Sequence, residues 1–170
     1  MKKMTILVII LTLIITISHS EEKNQKFELK FGTGSSLLGD GDMLTILFEN
    51  ELNYKHNRYF TESITINYAI SHSGSFDLSS LIQSNINIFL SPFRNNRKNN
   101  FKIGAGLSIM GISNVGNQYF DRHTSYGYNM IIEDEFNISE KCLLGIKTFI
   151  QPYTNGDITF GTVFKFEIKL

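Results

Sequence analysis

Thr159-Phe160-Gly161-Thr162-Val163-Phe164-Lys165-Phe166-Glu167-Ile168-Lys169-Leu170 alternates along nearly its whole length. Phe160, Phe164, Phe166, Ile168 and Leu170 share one parity, whereas Thr159, Gly161, Lys165, Glu167 and Lys169 share the other. Successive side chains of a strand point to opposite faces, so this segment has one oily face and one charged face. The pattern runs to Leu170, which predicts that the end of the chain is built into a sheet.

The same period recurs upstream. Strands are predicted over about 26–33, 43–54, 58–71, 79–91, 100–112, 125–138 and 141–151, with the last over 157–170. In the third, Phe60, Ile64, Ile66, Tyr68 and Ile70 oppose Thr61, Ser63, Thr65, Asn67 and Ser71. Asp134 breaks the apolar parity of the sixth, which calls for a bulge or a position near a membrane edge. Each segment is near or above the ~9–11 residues that a tilted strand needs to cross a bilayer. No apolar run beyond the N-terminal stretch is long enough for a helical span, so a membrane-spanning chain would have to cross by strands. Backbone groups in hydrocarbon must pair with one another, and strands achieve this only by closing into a cylinder. The predicted fold is all-β: an eight-stranded antiparallel up-and-down transmembrane β-barrel.

The start of the chain predicts export. Lys2 and Lys3 precede an apolar stretch from about Thr5 to Ile17, and Ser18-His19-Ser20 sets small residues before Glu21. This is the architecture of a cleavable signal peptide over 1–20, leaving a barrel domain over 21–170. The chain has 16 basic and 16 acidic residues, and loss of Lys2 and Lys3 leaves 14 against 16. That balance gives nucleic acid no basic surface to bind. Cys142 is the single cysteine, which excludes an intrachain disulfide framework and a cysteine-based metal site.

A soluble barrel of the lipocalin kind alternates similarly but turns its apolar residues inward. Three features of the sequence favour the opposite orientation. The polar parity mixes Glu49, Glu51, Lys102, Glu133, Glu135, Lys147, Lys165 and Glu167 with Gly104, Gly106, Gly145 and Gly161, a set suited to a narrow filled interior. The apolar parity is crowded with Ile, Leu and aromatics, as a lipid-facing band would be. Tyr54, Tyr59, Tyr68, Phe93, Phe101, Tyr126, Tyr128 and Tyr153 lie toward strand ends, where interfacial girdles occur.

Together with the signal peptide and the hairpin rhythm, Thr159–Phe166 resembles the small OmpX/OmpW-type superfamily of bacterial outer-membrane β-barrels. Many members end on Phe, whereas this chain continues in phase to Leu170. The resemblance implies location in the outer membrane, contact with its lipids, and engagement of the barrel-assembly machinery through Gly161, Phe164, Phe166 and Leu170. Its members differ widely in what they do.

With the N-terminus in the periplasm, odd-numbered connections face outside. Those at Thr33–Asp42, Ser71–Leu78 and Ser113–Thr124 are long and rich in Gly, Ser and Asn, and Tyr119, Phe120, Arg122 and His123 in the last are candidate contacts for a surface ligand. Connection four, 92–99, is an unusually long and basic turn. Glu49, Glu51, Lys102, Glu133, Glu135, Lys147 and Lys165 form a lumen charge cluster, expected to plug the barrel with salt bridges rather than to conduct. His72-Ser73 invites comparison with small barrel enzymes that modify lipid A, but adjacent residues point to opposite faces and do not readily share a proton. Asp40-Gly41-Asp42 lacks the ligand ladder of a calcium loop, and His56 and His123 are isolated. The expectation is a non-enzymatic outer-membrane protein without cofactor or metal, with a structural or surface-interaction role. The alternatives are a narrow channel or carrier for small hydrophobic molecules, a soluble periplasmic lipid-binding barrel, and a lipid A-modifying enzyme.

Overall fold

The computed structural model describes residues 27–38, 43–73, 77–92, 99–115, 120–139 and 142–168. The predicted signal peptide, Asp40 to Asp42, Phe93, Tyr119 and Leu170 lie outside the described residues. Eight antiparallel strands form one closed barrel in sequence order. They are β1 (Phe27–Leu38), β2 (Met43–Lys55), β3 (Phe60–Ser73), β4 (Asp77–Leu90), β5 (Asn99–Val115), β6 (Phe120–Asn137), β7 (Cys142–Pro152) and β8 (Ile158–Ile168). Phe27 and Ile168 mark the near end of the cylinder; the β1–β2, β3–β4, β5–β6 and β7–β8 hairpins turn at the far end.

Side-chain direction separates a membrane barrel from a soluble one. Ile66, Ile88, Leu107 and Phe164 face outward at 52%, 46%, 71% and 61% exposure, whereas Glu51, Lys102 and Lys165 are each 1% exposed. The outer wall is apolar and the interior polar, as expected of strands that cross lipid. No helix among the described residues is long and apolar enough to cross a membrane.

The register fixes the cylinder's geometry. A path from Phe101 on β5 steps through Asp134, Ile146, Phe164, Thr33, Phe48, Tyr68 and Ile82, and returns to β5 at Gly111. The stagger is ten residues, from 101 to 111, around eight strands. With ~3.3 Å per residue and ~4.8 Å between strands, this gives a tilt of about 40° and a backbone radius of about 8 Å. So narrow a bore must be filled by side chains.

Inward glycines make that filling possible. Phe89 lies opposite Gly104, Phe149 opposite Gly161, and Tyr153 opposite Gly127. A Cβ on Gly104, Gly161 or Gly127 would stand 2.6, 2.5 or 2.7 Å from the facing ring. Each glycine therefore supplies the space its aromatic partner occupies. At the β1–β8 seam, a Cβ on Gly34 would collide with the Thr162 carbonyl oxygen and lie 2.8 Å from Val163 Cα.

Several strands outrun their predicted limits. β1 continues through Gly34-Ser35-Ser36 to Leu38, because these small residues, loop-like by propensity, pair with β2 on one side and β8 on the other. β5 and β6 reach Val115 and Phe120, so Phe120, Arg122 and His123 belong to a strand rather than to a loop. Beyond the lipid-facing band an outward position no longer needs an apolar residue, and the alternation that betrays a strand disappears. Pairing of β5 with β6 is one-for-one from Asn99↔Phe136 to Val115↔Phe120, so no bulge accommodates Asp134; it sits three residues from the near end of β6. Tyr153 leaves the expected girdle: it shares the inward parity of Phe149 and Gln151 and is 6% exposed.

Gly34→Ala is expected to weaken the seam by about 1–3 kcal/mol through overpacking against backbone. Lowered urea stability of the purified protein in detergent is the readout. Gly111→Ala, where the nearest atom to a new Cβ is 4.0 Å away, is the control and should stay within about 0.5 kcal/mol of the parent.

Candidate functional site

The lumen is layered. Its near half holds Glu28, Glu49, Glu51, Glu133, Glu135 and Glu167 with Lys30, Lys102, Lys147 and Lys165, all nearly excluded from solvent. Isolated charges so placed would suffer a large desolvation penalty, so they occur together. Lys147 Nζ reaches Glu49 at 2.8 Å and Glu51 at 3.1 Å, and Lys165 Nζ reaches Glu51 at 2.7 Å and Glu49 at 3.4 Å. Glu133 ties this group to the next: it lies 2.5 Å from Lys165, 3.4 Å from Lys102 and 3.8 Å from Lys30. Lys102 also pairs with Glu135 at 2.7 Å, and Lys30 pairs with Glu135, with Glu28 at 3.6 Å and with Glu167 at 3.6 Å. Half-exposed Lys55 closes the near end against Glu28.

All seven residues of the predicted charge cluster thus lie in one connected network. Lys30, which sequence reasoning left out, is a hub of it. Its signal was present: it shares the polar parity of the first strand with Glu28. What the sequence did not reveal was that the barrel's stagger carries β1 within reach of acids on β6.

Above the charges lies a layer of amides and hydroxyls. Tyr153 OH is at its centre, accepting from Gln83 Nε2 at 3.0 Å, donating to Gln151 Oε1 at 3.3 Å, and lying 2.8 Å from Ser108 Oγ. Gln151 Nε2 donates to Asn85 Oδ1 at 3.1 Å, and Asn67 Nδ2 donates to Gln83 Oε1 at 3.3 Å. Farther along comes an apolar row, Leu47, Ala69, Leu81 and Ile112 on neighbouring strands with Leu38 and Met110 beside it, and beyond the row buried Thr45, Ser71 and Ser79.

The far rim is uneven. The β7–β8 hairpin turns at Tyr153–Asp157, where Gly156 adopts φ +94° and Tyr153 N–H donates to the Asp157 carbonyl at 2.8 Å. Thr154 N–H donates to Tyr126 O at 2.8 Å, near the top of the short hairpin. β6 runs on from Tyr126 to Phe120 alongside β5, and β5 pairs with β4 up to Val115↔Leu78. Backbone groups alternate in direction along a strand, so those of Arg122 and Thr124 face the same side as Tyr126 O, above the β7–β8 turn. Arg122 is exposed there.

The other candidate residues are dispersed. Phe164 and Phe166 face outward on β8, while Gly161 faces inward under Phe149. His72 and Ser73 are consecutive positions at the far end of β3, in register with Leu78 and Asp77. Among the described residues, no group of three or more His, Cys, Asp or Glu is arranged to hold a metal ion.

No protein-family model matches the chain, and no curated protein matches it. Solved structures do. Neisserial surface protein A superposes with a TM-score of 0.74 at 10% identity, over 88% of this chain and 100% of that one. Ail, the attachment invasion locus protein of Yersinia pestis, gives 0.61 at 9% identity over 83% and 96%. The N-terminal β-barrel domain of Pseudomonas aeruginosa OprF gives 0.59 at 12% identity over 85% and 98%. The chain has the fold of the small eight-stranded outer-membrane β-barrels.

Proposed function

We propose that this is a non-enzymatic outer-membrane protein whose lumen is closed by its own charges and whose far rim meets a partner at the cell surface. The observation that carries the reading is the continuous ion-pair network from Lys55 to Lys147, overlain by amides and then by an apolar layer. An ion crossing it would have to break several buried pairs in succession. The near end faces the periplasm and the far end the outside. The tall β5–β6 hairpin then presents an open strand flank and Arg122 to the exterior, a geometry suited to adding an extended segment of a partner. On β8, outward Phe164 and Phe166 beside the closing seam support its use as the assembly signal.

The apolar far layer favours one second reading, a carrier that admits a small hydrophobic molecule at the mouth. The charged layer beneath would halt such a molecule, so the carrier would need an exit through the wall.

In planar bilayers the purified protein is expected to show no steady single-channel steps; regular steps would overturn the closed-lumen reading. Lys30→Met removes the described ion-pair partner of Glu167, whose Oε2 lies 3.6 Å from Lys30 Nζ. The variant should lose roughly 3–5 kcal/mol of stability in detergent. Adding Glu167→Gln should recover a measurable part, a coupling that a double-mutant cycle reads directly.

A further inference from the structure

On the lipid-facing wall near the periplasmic rim, β6, β7 and β8 frame a groove of about 470 Å³ lined by Phe136, Ile138, Leu144, Ile146 and Phe164 with the backbone at Gly145 and Lys165. That volume falls within the roughly 300–1,000 Å³ of small-molecule sites. The side chains that open onto it from the outer face are all apolar. Beside it stands Asp134, the cross-strand partner of Ile146 on β7 and of Phe101 on β5. Its Oδ1 is shielded from solvent and has no hydrogen-bond partner. Glu62, also on the outer face near this rim, differs in having His56 Nε2 within 3.0 Å. Asp134 therefore stands out as a half-buried carboxyl group with one shielded, unpartnered oxygen, among apolar neighbours and without a described ion-pair partner.

We propose that this groove binds one phospholipid whose headgroup carries a primary ammonium, with the acyl chain along Leu144, Ile146 and Phe164 and the ammonium on Asp134. The inference rests on the transmembrane reading above. Depth supports it: Asp134 is three residues from the end of β6, about 10 Å along the strand, where headgroups lie. A carboxylate facing lipid near the interface is tolerated, but one with an orphaned oxygen gains most from a donor that is itself cationic. A primary ammonium supplies charge and N–H donors together. A quaternary ammonium supplies charge alone, and a glycerol headgroup supplies neither charge nor that geometry.

Native mass spectrometry of the full chain, released from nanodiscs of equimolar phosphatidylethanolamine, phosphatidylcholine and phosphatidylglycerol with matched acyl chains, tests this. One retained phosphatidylethanolamine is expected, at a several-fold excess over the other two. Asp134→Asn should abolish that excess while leaving the heat-dependent gel shift of the folded barrel intact. Leu144→Trp, which fills the groove, should reduce retention of all three lipids. Equal retention by the parent, an excess that survives Asp134→Asn, or a second copy of the chain in place of lipid would each overturn the site. Failure of the protein to enter nanodiscs in folded form would instead overturn the transmembrane reading beneath it.

Discussion

Closure of β1 onto β8 is the constraint from which the other features follow. A sheet with two free edges exposes rows of peptide groups, and in hydrocarbon those groups have no water to replace the missing partner. Joining Lys30–Leu38 to Thr159–Glu167 removes both edges, and the join is tight enough that Gly34 has no room for a methyl group. Once the cylinder is shut at a ten-residue stagger, its bore is set, and inward residues must share a small volume. The pairing of glycine with aromatic residues across neighbouring strands is the result.

Much of this was legible because lipid imposes a strict rule on the outer wall. Residues such as Ile86, Ile88 and Leu107 must be apolar at every second position, so the period of two is visible wherever the wall meets hydrocarbon. The rule lapses above that band, and there the reading failed: Arg122 and Thr124 look like loop residues although they continue β6. It also failed at Gly34-Ser35-Ser36, where local preference was overridden by ladders on both flanks. The interior was legible by sign but not by partner. That Glu133 is enclosed follows from its parity; that it contacts lysines from β1, β5 and β8 follows from the stagger, which no local pattern encodes.

The layering of the interior matches chemistry to neighbours. Six glutamates and four lysines fill the near half, with Lys55 at its lip, so the network is close to balanced. Hydroxyls and amides above it, around Tyr153, present neutral dipoles, and the leucine-rich layer beyond them needs no polar partner at all. Charge is thus confined to one end of the bore, and among the described residues the far end carries only neutral buried side chains such as Leu47, Thr45 and Ser71. An apolar layer over a charged one keeps water from reaching the ion pairs from that side, which strengthens them.

The ion pairs span more than neighbouring strands. Lys30 on β1 holds Glu135 on β6, and Lys147 on β7 holds Glu49 on β2, each reaching across the bore past two intervening strands. Such contacts work as spokes. A ladder of backbone bonds alone lets a tube flatten into an ellipse, whereas spokes at several angles keep its cross-section round under lateral squeeze from the surrounding bilayer.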